Sequence, residues 1–190
     1  MSSIVIRYVP GSSGRFCGSI IQSLITGFDF SVDTYGGVHD IEKFPDVVQS
    51  HDRLEEIIDL FDHVVQIIID KKDLHHTCSH FYYSCLKRWW DIKLLKMYHP
   101  NYNKQELLNI FLNKKLPRQT LNAMIEYHSK YEYAFKPFPD DKIIPISLDC
   151  LLNGDPVNEL KNYFPTQNDL TNLRKRVQEY QQEHKKIYGL

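Results

Sequence analysis

The chain has 190 residues, 42% of them hydrophobic, with 23 Lys and Arg against 24 Asp and Glu. That length suits one domain with a real core, and a net charge of -1 excludes a generic polyanion binder, so any anion site must be built locally. No apolar run reaches the roughly 18 residues of a membrane span. No basic segment followed by a long apolar stretch opens the chain, so a cleaved signal is not expected. The scattered cysteines Cys17, Cys78, Cys85 and Cys150 contain no CxxC pair and read as reduced thiols in a cytoplasmic protein.

The first predicted element is a strand over Ser3 to Tyr8, short and almost continuously apolar, as in a parallel sheet covered on both faces. It stops at Val9-Pro10-Gly11-Ser12-Ser13-Gly14. A helix follows over Arg15 to Thr26, with Phe16, Ile20, Ile21 and Leu24 on one face and Gly27 as its stop. Residues 28–46 carry breakers and weak periodicity and read as an irregular excursion. A short extended piece at Asp46 to Ser50, a helix at Asp52 to Phe61 and a clear strand at His63 to Ile69 come next. Asp73 to Tyr98 has a helical, aromatic-rich pattern, and further helices are expected at Lys104 to Asn113 and Arg118 to Tyr133. Lys142 to Ser147 reads as a last strand, placed at an edge or bulge by Pro145. Helices at Asp155 to Phe164 and Gln167 to Tyr188 close the chain. The second is polar nearly all round, which predicts a surface-laid or loosely packed helix.

Strands separated by helices imply right-handed crossovers and a mainly parallel sheet. Ligands of such sheets sit at the carboxyl ends of the strands, so the first strand-to-helix turn is the leading candidate site. A turn at Gly11 to Gly14 presents successive backbone N–H groups at a helix N-terminus, a natural seat for phosphate or sulfate. Ser12 and Ser13 add hydroxyls. Arg15 adds a cation that opposes the helix dipole unless an anion is bound. The strict P-loop pattern is not met: Arg15 stands in place of Lys, and Phe16 cannot coordinate Mg²⁺. That argues against ordinary ATP or GTP hydrolysis. A tight structural turn is the alternative.

Taken in order, Tyr8 to Phe16, Gln49-Ser50-His51, the strand ending before Lys71 with Ser79 eight positions later, and Ile146 to Leu152 with Pro156 resemble the sulfotransferase branch of the P-loop fold. The resemblance implies a three-layer α/β domain with a parallel sheet over residues 1–190. Residues 73–134 would be a helical insertion forming the acceptor region, and 165–190 a C-terminal helix. It further implies 3′-phosphoadenosine-5′-phosphosulfate as donor. Gly11, Ser12, Ser13, Gly14 and Arg15 would hold the 5′-phosphosulfate, and Lys71 and Ser79 the 3′-phosphate. His51 would be the base that deprotonates a hydroxyl acceptor, small molecule or glycan, and Arg15 would stabilise the leaving phosphate, without metal, nucleic acid or membrane. The other readings are a non-catalytic nucleotide- or anion-binding protein and a diverged nucleotide kinase.

Other patterns carry less. His76 and His80 have the i, i+4 spacing of zinc ligands, but no second ligand cluster accompanies them. Phe81-Tyr82-Tyr83 with Trp89-Trp90 reads as packing residues, Asp140-Asp141 as a turn, and Arg174-Lys175-Arg176 as a solvated face.

Overall fold

The computed structural model describes residues 3–8, 12–27, 47–50, 54–78, 80 and 134–188, with isolated positions at 103, 105, 106, 118, 122, 125, 126 and 129. The excursion at 28–46, most of the aromatic-rich segment after 80 and the helices expected at 104–113 and 118–133 therefore lie outside the described residues, or nearly so.

Among these residues the chain forms β1 (Ile4–Arg7), α1 (Gly14–Thr26), β2 (Val47–Ser50), α2 (Leu54–Ile57) and β3 (His63–Ile68), then β4 (Ile143–Ser147), α3 (Leu148–Asn153), α4 (Pro156–Lys161) and α5 (Thr171–Tyr188). Short 3₁₀ turns follow α2 at Ile58–Leu60 and β3 at Lys71–Asp73, and the chain is helical again at 74–78 and 80. The four strands run parallel in the order β2-β1-β3-β4. The α/β class with a parallel sheet is thus as the sequence suggested. Pro145 sits in β4, which has no strand on its outer side among the described residues, so the missing N–H costs the sheet nothing there.

The order has a physical consequence. The chain moves from β1 to β2 on one side, then crosses to β3 on the other. Right-handed crossovers in opposite directions put their helices on opposite faces of the sheet. One face carries Ile4, Ile6, Tyr8, Val65, Ile67, Ile69, Ile144 and Ile146, packed with Phe16, Cys17, Ile20, Ile21 and Leu24 of α1. The other carries Val5, Val64 and Ile143, packed with Ile57 and Ile58 from α2 and the turn after it. Alternation along each strand therefore feeds two cores, which is why β1 reads as continuously apolar. Fully burying each of these aliphatic side chains contributes roughly 1.5–3 kcal/mol.

The ends of the elements are held by identifiable contacts. Ser3 donates from its N–H and hydroxyl to Asp62 Oδ2, at 2.7 and 3.1 Å, tying the start of β1 to the start of β3. Gly27 ends α1 at φ 69°, its N–H donating to Ser23 O at 3.0 Å. Ser147 caps α3 by accepting from Cys150 N at 3.0 Å, and Asp155 caps α4 by accepting from Asn158 N at 3.0 Å, with Pro156 at its first turn.

Two expectations need correction. Leu148 to Asn153 forms a helix directly after β4, which the periodicity did not announce. And α5 is not loosely packed. Leu173, Val177, Tyr180 and His184 are all buried, in a stripe at spacings of four, three and four. A stripe that narrow leaves the helix mostly polar in composition while still fixing it to the core.

Candidate functional site

The strand order reverses direction at β1 and β3, so the crevice beyond their carboxyl ends is the topological switch point. The β1–α1 turn leaves one of these strands, and Asp70-Lys71-Lys72-Asp73 leaves the other. Parallel pairing of the two strands puts both segments at the same edge of the sheet. Two parts of the sequence-derived site, the small-residue turn and Lys71, thus share that edge.

Ser13 is the pivotal position in the turn. It takes a left-handed conformation, φ 61° and ψ 29°, and is the only described non-glycine residue with positive φ. A side chain in that region carries a cost of about 1 kcal/mol or more. Ser13 stands at the N-cap of α1, yet its hydroxyl makes no capping bond. The residue is 7% exposed, and its Oγ is buried with no hydrogen-bond partner among the described residues. A left-handed residue leading into a right-handed helix turns consecutive N–H groups toward one point, a geometry suited to an oxyanion. The first turn of α1 contains no acidic residue.

The neighbours of the turn have mixed roles. Gly14 is required by packing: a Cβ there would overlap the ring of Tyr8, which is itself buried. Ser12 is fully buried and Arg15 half-buried. Phe16 points into the core, where its ring stacks on Tyr180 with centroids 3.9 Å apart. Gly11, His51 and Ser79 lie outside the described residues. The β2 strand that precedes His51 ends at Ser50 and pairs with β1.

Lys71 is exposed, with its ammonium 5.9 Å from the centroid of the Phe135 ring. Lys72 pairs with Asp70 at 3.4 Å, an exposed contact that contributes little. Partial burial raises the Asp73 carboxyl above its ordinary range, with Lys72 opposing and Asp70 and Asp149 adding to the rise. This edge therefore carries acidic as well as basic groups, and an anion would have to be held chiefly by the turn.

Arg7 is a residue that pattern reading passed over. It is 3% exposed at the carboxyl end of β1, in register with Gln66 of β3. Gln66 is fully buried and spans to the chain at 136–138: its Nε2 donates to Lys136 O at 3.0 Å and its Oε1 accepts from Phe138 N at 2.9 Å. Arg7 and Gln66 thus form a polar row in the middle of an apolar sheet, at the end where ligands of this class of fold bind. The visible signal was a charge closing the run Ile4-Val5-Ile6-Arg7 and an amide interrupting Val64-Val65-Gln66-Ile67.

The cysteines Cys17, Cys78 and Cys150 are free thiols, and burial raises all three above the ordinary thiol range, Cys78 to about 12. None of them is an activated nucleophile. Among the described residues no group of three or more His, Cys, Asp or Glu side chains is arranged to hold a metal ion. No described helix is long and apolar enough to cross a membrane. A scan of protein-family models, a search of curated proteins and a search of solved structures each find no match to this chain.

Proposed function

We propose that the β1–α1 turn is an oxyanion site and that the chain is a sulfotransferase-like protein, transferring a sulfuryl group to a hydroxyl acceptor. The observation that carries this reading is the buried, unsatisfied hydroxyl of Ser13 at the start of α1, in a backbone conformation that focuses amide donors. A buried polar group without a partner costs about 1–3 kcal/mol, and a bound anion would recover that loss. The order of motifs along the chain supplies the specific class.

In this reading 3′-phosphoadenosine-5′-phosphosulfate supplies the activated sulfuryl group. Among the described residues the fit is to its phosphosulfate end. The amides at the head of α1 and the Ser13 hydroxyl would bind the oxyanion, and Arg15 would neutralise charge on the departing phosphate oxygen. Lys71, across the same sheet edge, would serve the 3′-phosphate together with Ser79. His51 would take the proton of the acceptor hydroxyl as the S–O bond to the acceptor forms and the S–O bond to the phosphate breaks. An imidazole is suited to that task near neutral pH. Such a transfer depends on in-line positioning and charge stabilisation.

A second reading is favoured by the contact between Tyr8 and Gly14. It explains the glycine by packing alone and leaves a structural turn, or a non-catalytic anion binder. A diverged kinase has less support, since Phe16 occupies the position that would hold Mg²⁺ and its ring lies in the core.

Thermal-shift titration of the full chain with adenosine 3′,5′-bisphosphate, inorganic sulfate, and ADP with Mg²⁺ separates the three. The sulfotransferase reading expects the bisphosphate to raise the melting temperature without magnesium. Ser13→Gly relieves the backbone cost and removes the hydroxyl, so the free protein should melt higher while the ligand-induced shift shrinks. Arg15→Ala should remove most of that shift. No response to the bisphosphate would overturn the nucleotide reading, and an undiminished response in both variants would move the site elsewhere.

A further inference from the structure

The two sides of α5 differ in chemistry. Leu173, Val177, Tyr180 and His184 face inward and are buried. At the far end of this inner stripe the His184 ring lies 5.2 Å from His76 and 4.8 Å from His80, centroid to centroid. Gln181 fixes one flank, its Nε2 donating to Leu151 O at 2.9 Å and to Gly154 O at 3.1 Å. At about 100° per residue, Arg174, Lys175, Gln178, Gln182, Lys185 and Lys186 share a stripe opposite the buried one, and all of them are exposed.

That outer stripe holds cations and amides and no acid. The helix carries Arg174, Lys175, Arg176, Lys185 and Lys186 against Glu179 and Glu183, in a chain whose net charge is -1, so positive charge is concentrated here. Both glutamates lie on the adjoining flank, four and eight positions from Lys175, and Glu179 pairs there with Arg176 at 3.4 Å. Arg174, Lys175, Lys185 and Lys186 form no ion pair among the described residues. Helix stability accounts for only half of this pattern. Lys185 and Lys186 suit the negative end of the helix dipole. Arg174 and Lys175 stand near its positive end, where the first turn holds no acidic residue. Asp169, just ahead of the helix, is engaged with Thr171, its Oδ1 accepting from the backbone N–H at 2.9 Å and from the hydroxyl at 2.8 Å. A face shaped only for solubility alternates charge sign between i, i+4 neighbours, whereas Arg174, Gln178, Gln182 and Lys186 succeed one another at that spacing without an acid.

We propose that this outer face of α5 binds the phosphate backbone of duplex DNA. Charge complementarity sets the class of partner: four exposed cations without ion pairs suit a row of phosphates. Arg174-Lys175 and Lys185-Lys186 are eleven residues apart. That is about 16 Å of helix, against a major groove about 12 Å wide, a difference that long side chains at each end span. The amides of Gln178 and Gln182, between the two cation pairs, offer donors and acceptors to base edges or bridging water. What the stripe lacks decides among polyanions. It has no aromatic ring on which an unpaired base could stack, and no apolar residue to enter a lipid surface. The proposal departs from the expectations of a solvated face and of no nucleic-acid partner, and it does not depend on what the β1–α1 turn binds.

Fluorescence anisotropy of a labelled 20-base-pair duplex, titrated with the full chain, tests it. Binding should be micromolar at 50 mM NaCl. Four phosphate contacts should weaken it about a hundredfold by 200 mM, a slope of about −3.6 against log salt. Lys175→Gln with Lys185→Gln should halve that slope, whereas Lys161→Gln, at an exposed position of α4 outside the stripe, should leave it unchanged. Should the double variant fail to fold, amide NMR of the wild-type chain serves instead, with the duplex expected to shift signals of 174–186 and not those of β1. No binding at 50 mM, an equal loss in Lys161→Gln, or an unchanged slope in the folded double variant would each overturn the proposal. So would NMR shifts centred on the β1–α1 turn, tighter binding of a single strand than of the duplex, or binding of phosphatidylserine vesicles without binding of the duplex.

Discussion

Phe16 and Tyr180 lie ring on ring, centroids 3.9 Å apart and planes within 15° of parallel, although 164 positions separate them in the chain. One belongs to the first turn of α1 and the other to the buried stripe of α5. The last helix therefore forms part of the backing of the first turn. Tyr180→Ala should cost about 3–4 kcal/mol, read as a lower denaturation midpoint at unchanged slope. Tyr180→Phe keeps the ring and should cost under about 1 kcal/mol. Equal losses in the two would place the contribution in the hydroxyl and not in the stack.

Gly14→Ala tests the packing of the turn. Its Cβ would overlap the Tyr8 ring, so either the ring or the head of α1 must move. An overpacking cost of about 1–3 kcal/mol is expected in urea denaturation. Tyr8→Leu in the same chain should recover part of it, because the obstacle is then smaller and more flexible. A neutral Gly14→Ala would mean that the ring yields easily and that packing is not what requires the glycine.

Gln66 joins the middle of the sheet to residues 136–138 through both ends of its amide. Gln66→Leu keeps the volume and removes both bonds, at an expected cost of about 1–3 kcal/mol. The effect should be uneven. Exchange at the Phe138 amide should quicken more than in the body of β1. Uniform acceleration across both would show that the amide supports the whole sheet and not this one crossing.

Asp62, like Asp169, which is hydrogen-bonded to Thr171, contributes to the pH dependence on the acid side. Its carboxylate accepts from the Ser3 backbone and, secondarily, from the Ser3 hydroxyl, and these bonds lower its pKa below the ordinary value of 3.8. The ionised form is thus favoured in the fold. Its contribution is complete above about pH 4, where the unfolded chain is ionised too, and is lost as pH falls through the lower folded value. Asp62→Asn should flatten the wild-type fall in melting temperature between about pH 4 and 2. An unaltered acid limb would assign that fall to other carboxylates.

Much of the framework was legible in the amino acids. Ile4-Val5-Ile6 and Val64-Val65 are β-branched runs without a polar face, a pattern that demands cover on two sides and so a parallel sheet between helices. Gly27 ended α1 where the pattern said it should, and Pro145, read as marking an edge or a bulge, stands in β4, the terminal strand of the described sheet. The turn at Ser12 to Arg15 stood out because small residues and an arginine at a helix head have few structural uses. Less legible were α3, whose six residues are too few to show a helical period, and the docking of α5, whose buried Leu173, Val177, Tyr180 and His184 are separated by mostly exposed polar residues.

By itself, then, the sequence determined the four strands and, apart from α3, the helices among the described residues, together with the residue types of the first turn, because periodicity and turn preferences act between residues close in the chain. Only the tertiary structure decided that the turn and Lys71 share one edge, that Arg7 is buried beside Gln66, that Tyr180 backs Phe16, and that His184 meets His76 and His80. Each of those pairs is set by strand order and helix docking, which depend on how distant segments share a core, and no local pattern encodes that distance.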